Sequence, residues 1–478
     1  MTRSGENWVT VGTERLQQVA RADREAVGLR RLEDCPSRAG VRGGRRTDAP
    51  RTTLRALTLT SPQTIGDPMP TDLPVISLYT GAGGLDLGLE AAGFRTALAV
   101  EMEPNCCRTL RHNRPKWPVL ERPIAEVSSS EILSAAKLAE GEAALVAGGP
   151  PCQPFSKSSY WTRGDTLRLD DPRSDTLGAY MRVVRDTLPR ALLLENVYGL
   201  VYEGKSEGLD HLLALVKQIN RETGAGYSVT WRVLNATEHG VPQARERAFL
   251  VGSRDGVEFR FPGAGFSDPS GDLQMFPRPP YRTAWDAIGD LPTPSSEEDL
   301  DLRGRWRELL PSIPEGENYL WHTDRKGGLP LFGWRTRYWS FLLKLAKNRP
   351  AWTIQAAPGP AIGPFHWTNR RLSMREMLRL QTFPDGYEIL GSRIEVQRQL
   401  GNAVPSLLAE VLGREIRTQL LGRRPLKKPL QLLPKDLSPA PPPEPVAPVP
   451  SQFHAFAGDH APHPGTGKGR GALVRQRA

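Results

Sequence analysis

The 478-residue sequence predicts an α/β fold: a mostly parallel sheet with helices on both faces, joined to a smaller irregular domain. Three observations lead there. Short apolar runs of strand length recur at residues 73–79, 96–100, 143–147, 191–194 and 248–251. Segments with helical pattern, at 85–92 and 176–187, alternate with those runs. The runs end in glycines, prolines or an acid, the residue types that open α/β sheets gather at the carboxyl edge where their ligands bind.

The first expected strand, 73–79, ends at Tyr79 and is followed by Thr80-Gly81-Ala82-Gly83-Gly84. Glycines there let the backbone approach a ligand and leave the amides of the next helix free for a carboxylate. A dinucleotide GxGxxG pattern would need glycine at 86, where the chain has Asp86. The second strand ends in Glu101, an acid placed to accept both hydroxyls of a ribose, or else a plain surface acid.

Residues 143–147 read as a buried strand, and Gly148-Gly149-Pro150-Pro151 then stops any ladder or helix. Cys152 is therefore expected on an irregular loop at the carboxyl end of that strand; the plain alternative is a small buried apolar thiol. The helix at 176–187 leads to strand 191–194, which delivers Glu195 to the same edge. Residues 227–234 read as a strand, and Gln243-Ala244-Arg245-Glu246-Arg247 precedes strand 248–251. Period-two spacing places Arg245 and Arg247 on one face, as catalytic donors or as salt-bridged surface arginines. Residues 371–383 are helical up to Pro384, and 399–405 form a loop leading into a further helix.

Composition narrows the class. Residues 1–70 hold 12 basic and 8 acidic side chains (+4) and residues 421–478 hold 9 and 3 (+6), so 71–420 is close to neutral against a total of +10. Within it, 301–380 carries 14 Arg and Lys against 6 acids, a surplus suited to phosphates, or a solvated basic face. Four cysteines, Cys35, Cys106, Cys107 and Cys152, form no CxxC pair, so neither a metal site nor a disulfide framework is indicated. No run of 18 apolar residues exists, so no membrane association is expected and a cytoplasmic location is.

Gly148-Gly149-Pro150-Pro151-Cys152-Gln153-Pro154-Phe155-Ser156 resembles the catalytic loop of the cytosine-C5 DNA methyltransferases, of bacterial restriction-modification type. The glycine turn at 80–84, Glu195-Asn196-Val197, the Gln-x-Arg-x-Arg run, the helix at 371–383 and Gln399-Leu400-Gly401-Asn402-Ala403-Val404-Pro405 follow in that family's order, over about 75–413. The resemblance implies the S-adenosylmethionine-dependent, Rossmann-like methyltransferase fold with S-adenosyl-L-methionine as cofactor. Tyr79, Gly81, Gly83, Gly84, Glu101, Pro150 and Asn402 match cofactor-binding positions. Pro123 stands where the family usually has an aspartate beside the adenine.

The same resemblance implies Cys152 as nucleophile, a protonated Glu195 at N3 of the target cytosine, Arg247 at O2, and Arg245 supporting the loop or a phosphate. C5 of cytosine is a poor nucleophile, and thiolate addition at C6 activates the ring. A stacked base hides C6, so the base must leave the duplex. The implied partner is double-stranded DNA, with a cognate restriction endonuclease acting separately on the same sequence; a monomer associated with the bacterial nucleoid is expected. A tRNA cytosine methyltransferase of this fold and a non-catalytic DNA-binding relative are the alternatives.

The expected organisation is a disordered basic extension (1–70), a catalytic and cofactor-binding domain (71–256), a target-recognition domain (257–369), a return to the catalytic domain (370–422) and a disordered Pro-rich tail (423–478). Seven of the 11 tryptophans lie between Trp285 and Trp367, among basic residues such as Arg335, Arg337, Lys344, Arg349 and Arg370 that are candidates to touch DNA. The polar segment 157–173 is expected to close over DNA.

Overall fold

The structure is a computed structural model and describes residues 72–151, 175–201, 207–269, 277–294, 298–333 and 339–458. Cys152, the segment 157–173, Arg335, Arg337, the extension 1–70 and residues 459–478 lie outside the described residues.

Eight strands arise before residue 254: β1 (Pro74–Leu78), β2 (Arg95–Glu101), β3 (Val119–Glu121), β4 (Leu145–Gly148), β5 (Ala191–Val197), β6 (Ser228–Asn235), β7 (Gln243–Ala244) and β8 (Glu246–Ser253). Seven of them form one sheet in the order β3-β2-β1-β4-β5-β8-β6. The pairs among β3, β2, β1, β4 and β5 are parallel, and β8 runs antiparallel to both of its neighbours. The chain leaves β1 toward β2 and β3 and returns on the other side at β4. That reversal opens a crevice between the carboxyl ends of β1 and β4, the usual ligand position in such sheets.

Both faces of the sheet are buried, which is why its strands read as continuous apolar runs. Alternation along β1 sends Ile76 and Leu78 to one core and Val75 to the other. The first core is closed by α3 (Ser129–Ala136), α4 (Asp175–Thr187) and α5 (Glu207–Thr223), through residues such as Ile132, Val183 and Leu212. The second is closed by α1 (Gly84–Ala91) and α9 (Ser406–Gln419), through Leu85, Leu89, Leu408 and Leu412. Between α1 and α3 lies α2 (Pro104–Asn113).

Residues 257–369 are irregular, as expected, with a short α6 (Ala284–Ile288) and β9 (Ala351–Trp352), which pairs in parallel with β7. The chain then returns through α7 (Met374–Leu380) and α8 (Arg393–Asn402), each opened by a capping box, Ser373 with Glu376 and Ser392 with Glu395. A third core of Ile288, Leu345, Ile354, Trp367, Met377 and Val396 joins the variable region to these helices. From Pro68 onward the chain forms one compact unit.

The expectation of a disordered tail from 423 is corrected for residues 423–458. Leu430, Leu432 and Leu433 pack against the second core, and Phe453 is buried in an aromatic cluster with Trp306, Phe332 and Phe341. Average composition hides these few apolar anchors. The prolines between them restrict the unfolded chain, which lowers the entropic cost of ordering it.

Candidate active site

The cofactor side is built at the ends of β1 and β2. Tyr79 and Gly81 both adopt positive φ, 55° and 57°, which turns the chain sharply out of β1. The Gly81 amide donates to Glu101 Oε2 at 2.7 Å, while Glu101 Oε1 accepts the amides of Met102 and Glu103, each at 2.8 Å. Burial raises the Glu101 pKa and these three amides oppose the rise. A carboxylate offers about four acceptor positions; three are occupied by backbone amides, and the remaining one, on Oε2, suits a single ribose hydroxyl.

The three glycines of the turn have different reasons to be glycine. A Cβ on Gly81 would have only the Tyr79 carbonyl within reach, at 4.0 Å, so the loop is open there. On Gly83 it would lie 3.0 Å from the Leu110 side chain and 3.1 Å from the Tyr387 hydroxyl, and on Gly84 it would lie 2.4 Å from the Val404 carbonyl. Gly83 and Gly84 thus permit close packing, Gly84 against Ala403 and Val404 of the returning chain, while Asn402, the last residue of α8, is exposed. The residues fit S-adenosylmethionine: an open glycine turn after β1 and a buried carboxylate after β2. Pro123 follows β3, with its carbonyl accepting the Glu126 amide at 3.0 Å.

The candidate catalytic residues gather at the carboxyl ends of β4 and β5 and at the start of β8. Antiparallel pairing sets Arg247 opposite Val197, two residues beyond Glu195 on the same face of β5, and Arg247 Nε reaches Glu195 Oε1 at 3.0 Å. Glu195 is buried, and burial raises its pKa against the opposing charges of Arg247 and Arg245. The loop after β4 presses on this pair: a Cβ on Gly149 would sit 3.0 Å from Glu195 Oε2, and the Asn196 side-chain amide donates to the Pro150 carbonyl at 3.3 Å. Pro151, the last described residue before Cys152, accepts from the Thr176 hydroxyl at 3.4 Å. Thr176 in turn offers its carbonyl to the Tyr79 hydroxyl at 2.7 Å, which links the two halves of the site.

Some expectations change. Arg245 does not share a surface with Arg247: it is 1% exposed and donates to the carbonyls of Gly401 and Ala403, both at 2.9 Å, and to that of Ile354 at 3.4 Å. Its hydrogen bonds brace the segments at 354 and 401–403, and its burial leaves no access to a phosphate. Lys344 is 3% exposed, with burial lowering its pKa to about 8, and Arg370 forms a double hydrogen bond with the buried Glu376. Burial takes Lys344, and pairing with Glu376 takes Arg370, out of the set of free surface cations, whereas Arg349 is exposed.

Sequence reasoning passed over two features. Trp339 and Trp352 are exposed and meet edge to face, 5.1 Å apart, with Trp352 on β9 beside Ala244, three residues before Arg247. Asp86, noted only as the residue that breaks a glycine pattern, is buried at the start of α1, and burial raises its pKa to about 7 against the opposing hydroxyls of Ser77 and Thr96. A cavity of about 950 Å³ lies between the variable region and α8, lined by residues including Arg303, Gln355, Arg371 and Arg393; Tyr79, Glu101, Glu195 and Arg247 are not among its walls. Among the described residues no group of three or more His, Cys, Asp or Glu is arranged to hold a metal, and no helix is long and apolar enough to cross a membrane.

A seven-stranded sheet with β8 reversed, and with ligand loops after β1, β2 and β4, is the architecture of the S-adenosylmethionine-dependent methyltransferases. A solved structure described as a DNA modification methyltransferase encoded within an E. coli prophage shares this fold with a TM-score of 0.53 at 23% identity, covering 74% of this chain and 100% of that one. The chain belongs to a particular family within that class, the C-5 cytosine-specific DNA methylases, which it matches over residues 73–418. It is similar to the Type II methyltransferase M.SacI of Streptomyces achromogenes, 42% identical over 374 residues, 73% of this chain and 94% of the relative. It is also similar to the Type II methyltransferase M.AquIA of Picosynechococcus, 42% identical over 235 residues, 48% of this chain and 93% of the relative. It is thus a DNA cytosine-C5 methyltransferase of the Type II restriction-modification kind.

Proposed function

We propose that the protein methylates C5 of cytosine within one specific duplex DNA sequence, acting as a monomer on a base turned out of the helix, and that it protects that sequence from a separate restriction endonuclease. The observation that carries the catalytic reading is the buried Glu195–Arg247 pair, 3.0 Å apart, against which Gly149 and Pro150 hold the loop that leads into Cys152.

The Cys152 thiolate adds to C6 of the cytosine, forming a C–S bond and breaking the 5,6 π bond, whose electrons move toward C5 and the N3–C2–O2 system. Glu195, its pKa raised by burial, holds a proton for N3, and Arg247 supplies a positive donor at O2. The turn at Gly81 and Glu101 would hold S-adenosylmethionine, which would supply the methyl group to C5 and leave as S-adenosylhomocysteine. Loss of the C5 proton to a base then restores the double bond and expels the Cys152 thiolate. Cys106 and Cys107 are unsuited to this task, since both are buried and burial pushes their thiols up, that of Cys107 to about 12.

A duplex carrying 5-fluorocytosine at the target tests the covalent step, because fluorine cannot leave as a proton does. The wild type is expected to form a DNA adduct stable to denaturation, and Cys152→Ser to form none while still binding DNA. An adduct with the serine variant would refute the assignment.

A further inference from the structure

We infer that the Pro-rich segment after α9 is a brace that sets the position of residues 257–369 relative to the catalytic edge, and so helps to determine which DNA sequence is methylated. The inference rests on reading 257–369 as the target-recognition region. The brace lies beyond residues 73–418, the part of the chain that matches the family.

Its near end is fastened to α9, which packs directly on the sheet. The Glu410 carboxylate, fully buried, accepts the amides of Gln431 and Leu432 at 2.8–3.0 Å, and Arg414 donates to the carbonyls of Lys428 and Pro429 at 2.6 Å. From there the chain crosses to the variable region. Asp436 pairs with Arg282 at 2.6 Å, and the Leu437 amide and carbonyl bond to Asp286 and Trp285 of α6 at 2.8 and 3.2 Å.

A second crossing point is ionic and partly shielded. Lys347 Nζ donates to Glu315 at 2.7 Å, to Glu444 of the brace at 2.9 Å and to the Pro442 carbonyl at 3.1 Å, while the Glu444 amide donates back to Glu315 at 2.8 Å. Lys347 and Glu315 side chains are 4% and 5% exposed and Glu444 is 45% exposed, so the Lys347–Glu315 half of this node is little screened by solvent and the Glu444 half partly so. The far end inserts Phe453 against Trp306, rings stacked 5.7 Å apart. Between these anchors, the prolines restrict the backbone and stiffen the segment. A stiff segment fixed to α9 at one end and to the variable region at three further points resists relative movement of the two. Base-edge contacts depend on that position, since hydrogen-bond geometry degrades within a few tenths of an ångström.

The test uses the full chain with Asp436→Asn and Glu444→Gln combined, substitutions that keep shape and remove two ionic fasteners. Methylation across a randomised-site library, S-adenosylmethionine affinity and thermal midpoint are measured together. The ratio of methylation at the preferred site to that at single-mismatch sites is expected to fall roughly three- to tenfold. S-adenosylmethionine affinity should stay within about twofold of wild type. An unchanged ratio overturns the inference, including the case in which stability and methylation at every site decline together, because the brace would then only stabilise. A parallel variant, Arg303→Ala with Arg307→Ala and Arg349→Ala, separates the two readings. If it alters site preference and the brace variant does not, the brace alone fails; if neither alters it, the recognition role of 257–369 fails as well.

Discussion

Replacing Arg245 by methionine separates a structural arginine from a catalytic one. The guanidinium donates to two carbonyls at 2.9 Å and one at 3.4 Å, all in the segments around Ile354 and residues 401–403. Methionine fills a similar volume and offers no donor. Each short bond to the charged group contributes about 1.5–3 kcal/mol, and each buried carbonyl left without a donor costs about 1–3 kcal/mol. Relief from desolvating the guanidinium offsets part of this, so a net loss of about 3–5 kcal/mol is expected. That is a large fraction of the 5–15 kcal/mol that holds a typical domain together. The assay is thermal unfolding combined with single-turnover methylation at 15 °C, where much of the variant stays folded. The expected result is a midpoint lowered by roughly 5 °C or more, with the residual rate per folded molecule within about tenfold of wild type. A variant that unfolds like wild type yet turns over a hundredfold more slowly would refute the structural reading and return Arg245 to the catalytic set.

Two further outcomes follow from the same geometry. Gly149→Ala places a methyl group 3.0 Å from Glu195 Oε2, so the carboxylate paired with Arg247 must shift by a few tenths of an ångström; kcat should fall at least about tenfold with the KM for S-adenosylmethionine unchanged, and an unaltered kcat would show that the pair's position is not used. Asp86→Asn tests the buried acid at the start of α1. Its folded pKa of about 7 lies above the ordinary 3.8, so its contribution to stability is fully present below about pH 4 and is lost as pH rises through 7. Relative to wild type, the asparagine variant should therefore gain about 2–3 kcal/mol between pH 5 and pH 8 in urea unfolding, at about 1.4 kcal/mol per pH unit. A difference that does not vary with pH would show the carboxyl is already ionised in the fold.

Local pattern alone was enough for the sheet and its carboxyl edge. Apolar runs at 73–79, 143–147 and 191–194 are strands because both faces are buried, and the glycines, prolines and acids that follow them mark the carboxyl edge, Gly148 and Glu195 still within their strands. Strand spacing could place Glu195 and Arg247 at that edge, whereas their roles came only from the resemblance of the motifs around them to the cytosine-C5 methyltransferases. Sequence spacing could not separate Arg245 from Arg247, although they stand two residues apart. The chain kinks between β7 and β8, and the carbonyls of residues 401 and 403, more than 150 positions away, claim the first guanidinium. Nor could composition show that residues 423–458 are ordered. Glu444 looks like any solvated acid until the buried Lys347 claims it, and Phe453 is one aromatic among prolines until Trp306 receives it. Short-range pattern reports what a residue's own backbone dictates; partners distant in sequence are decided by packing, and at Arg245, Asp86 and the brace packing had the larger energy.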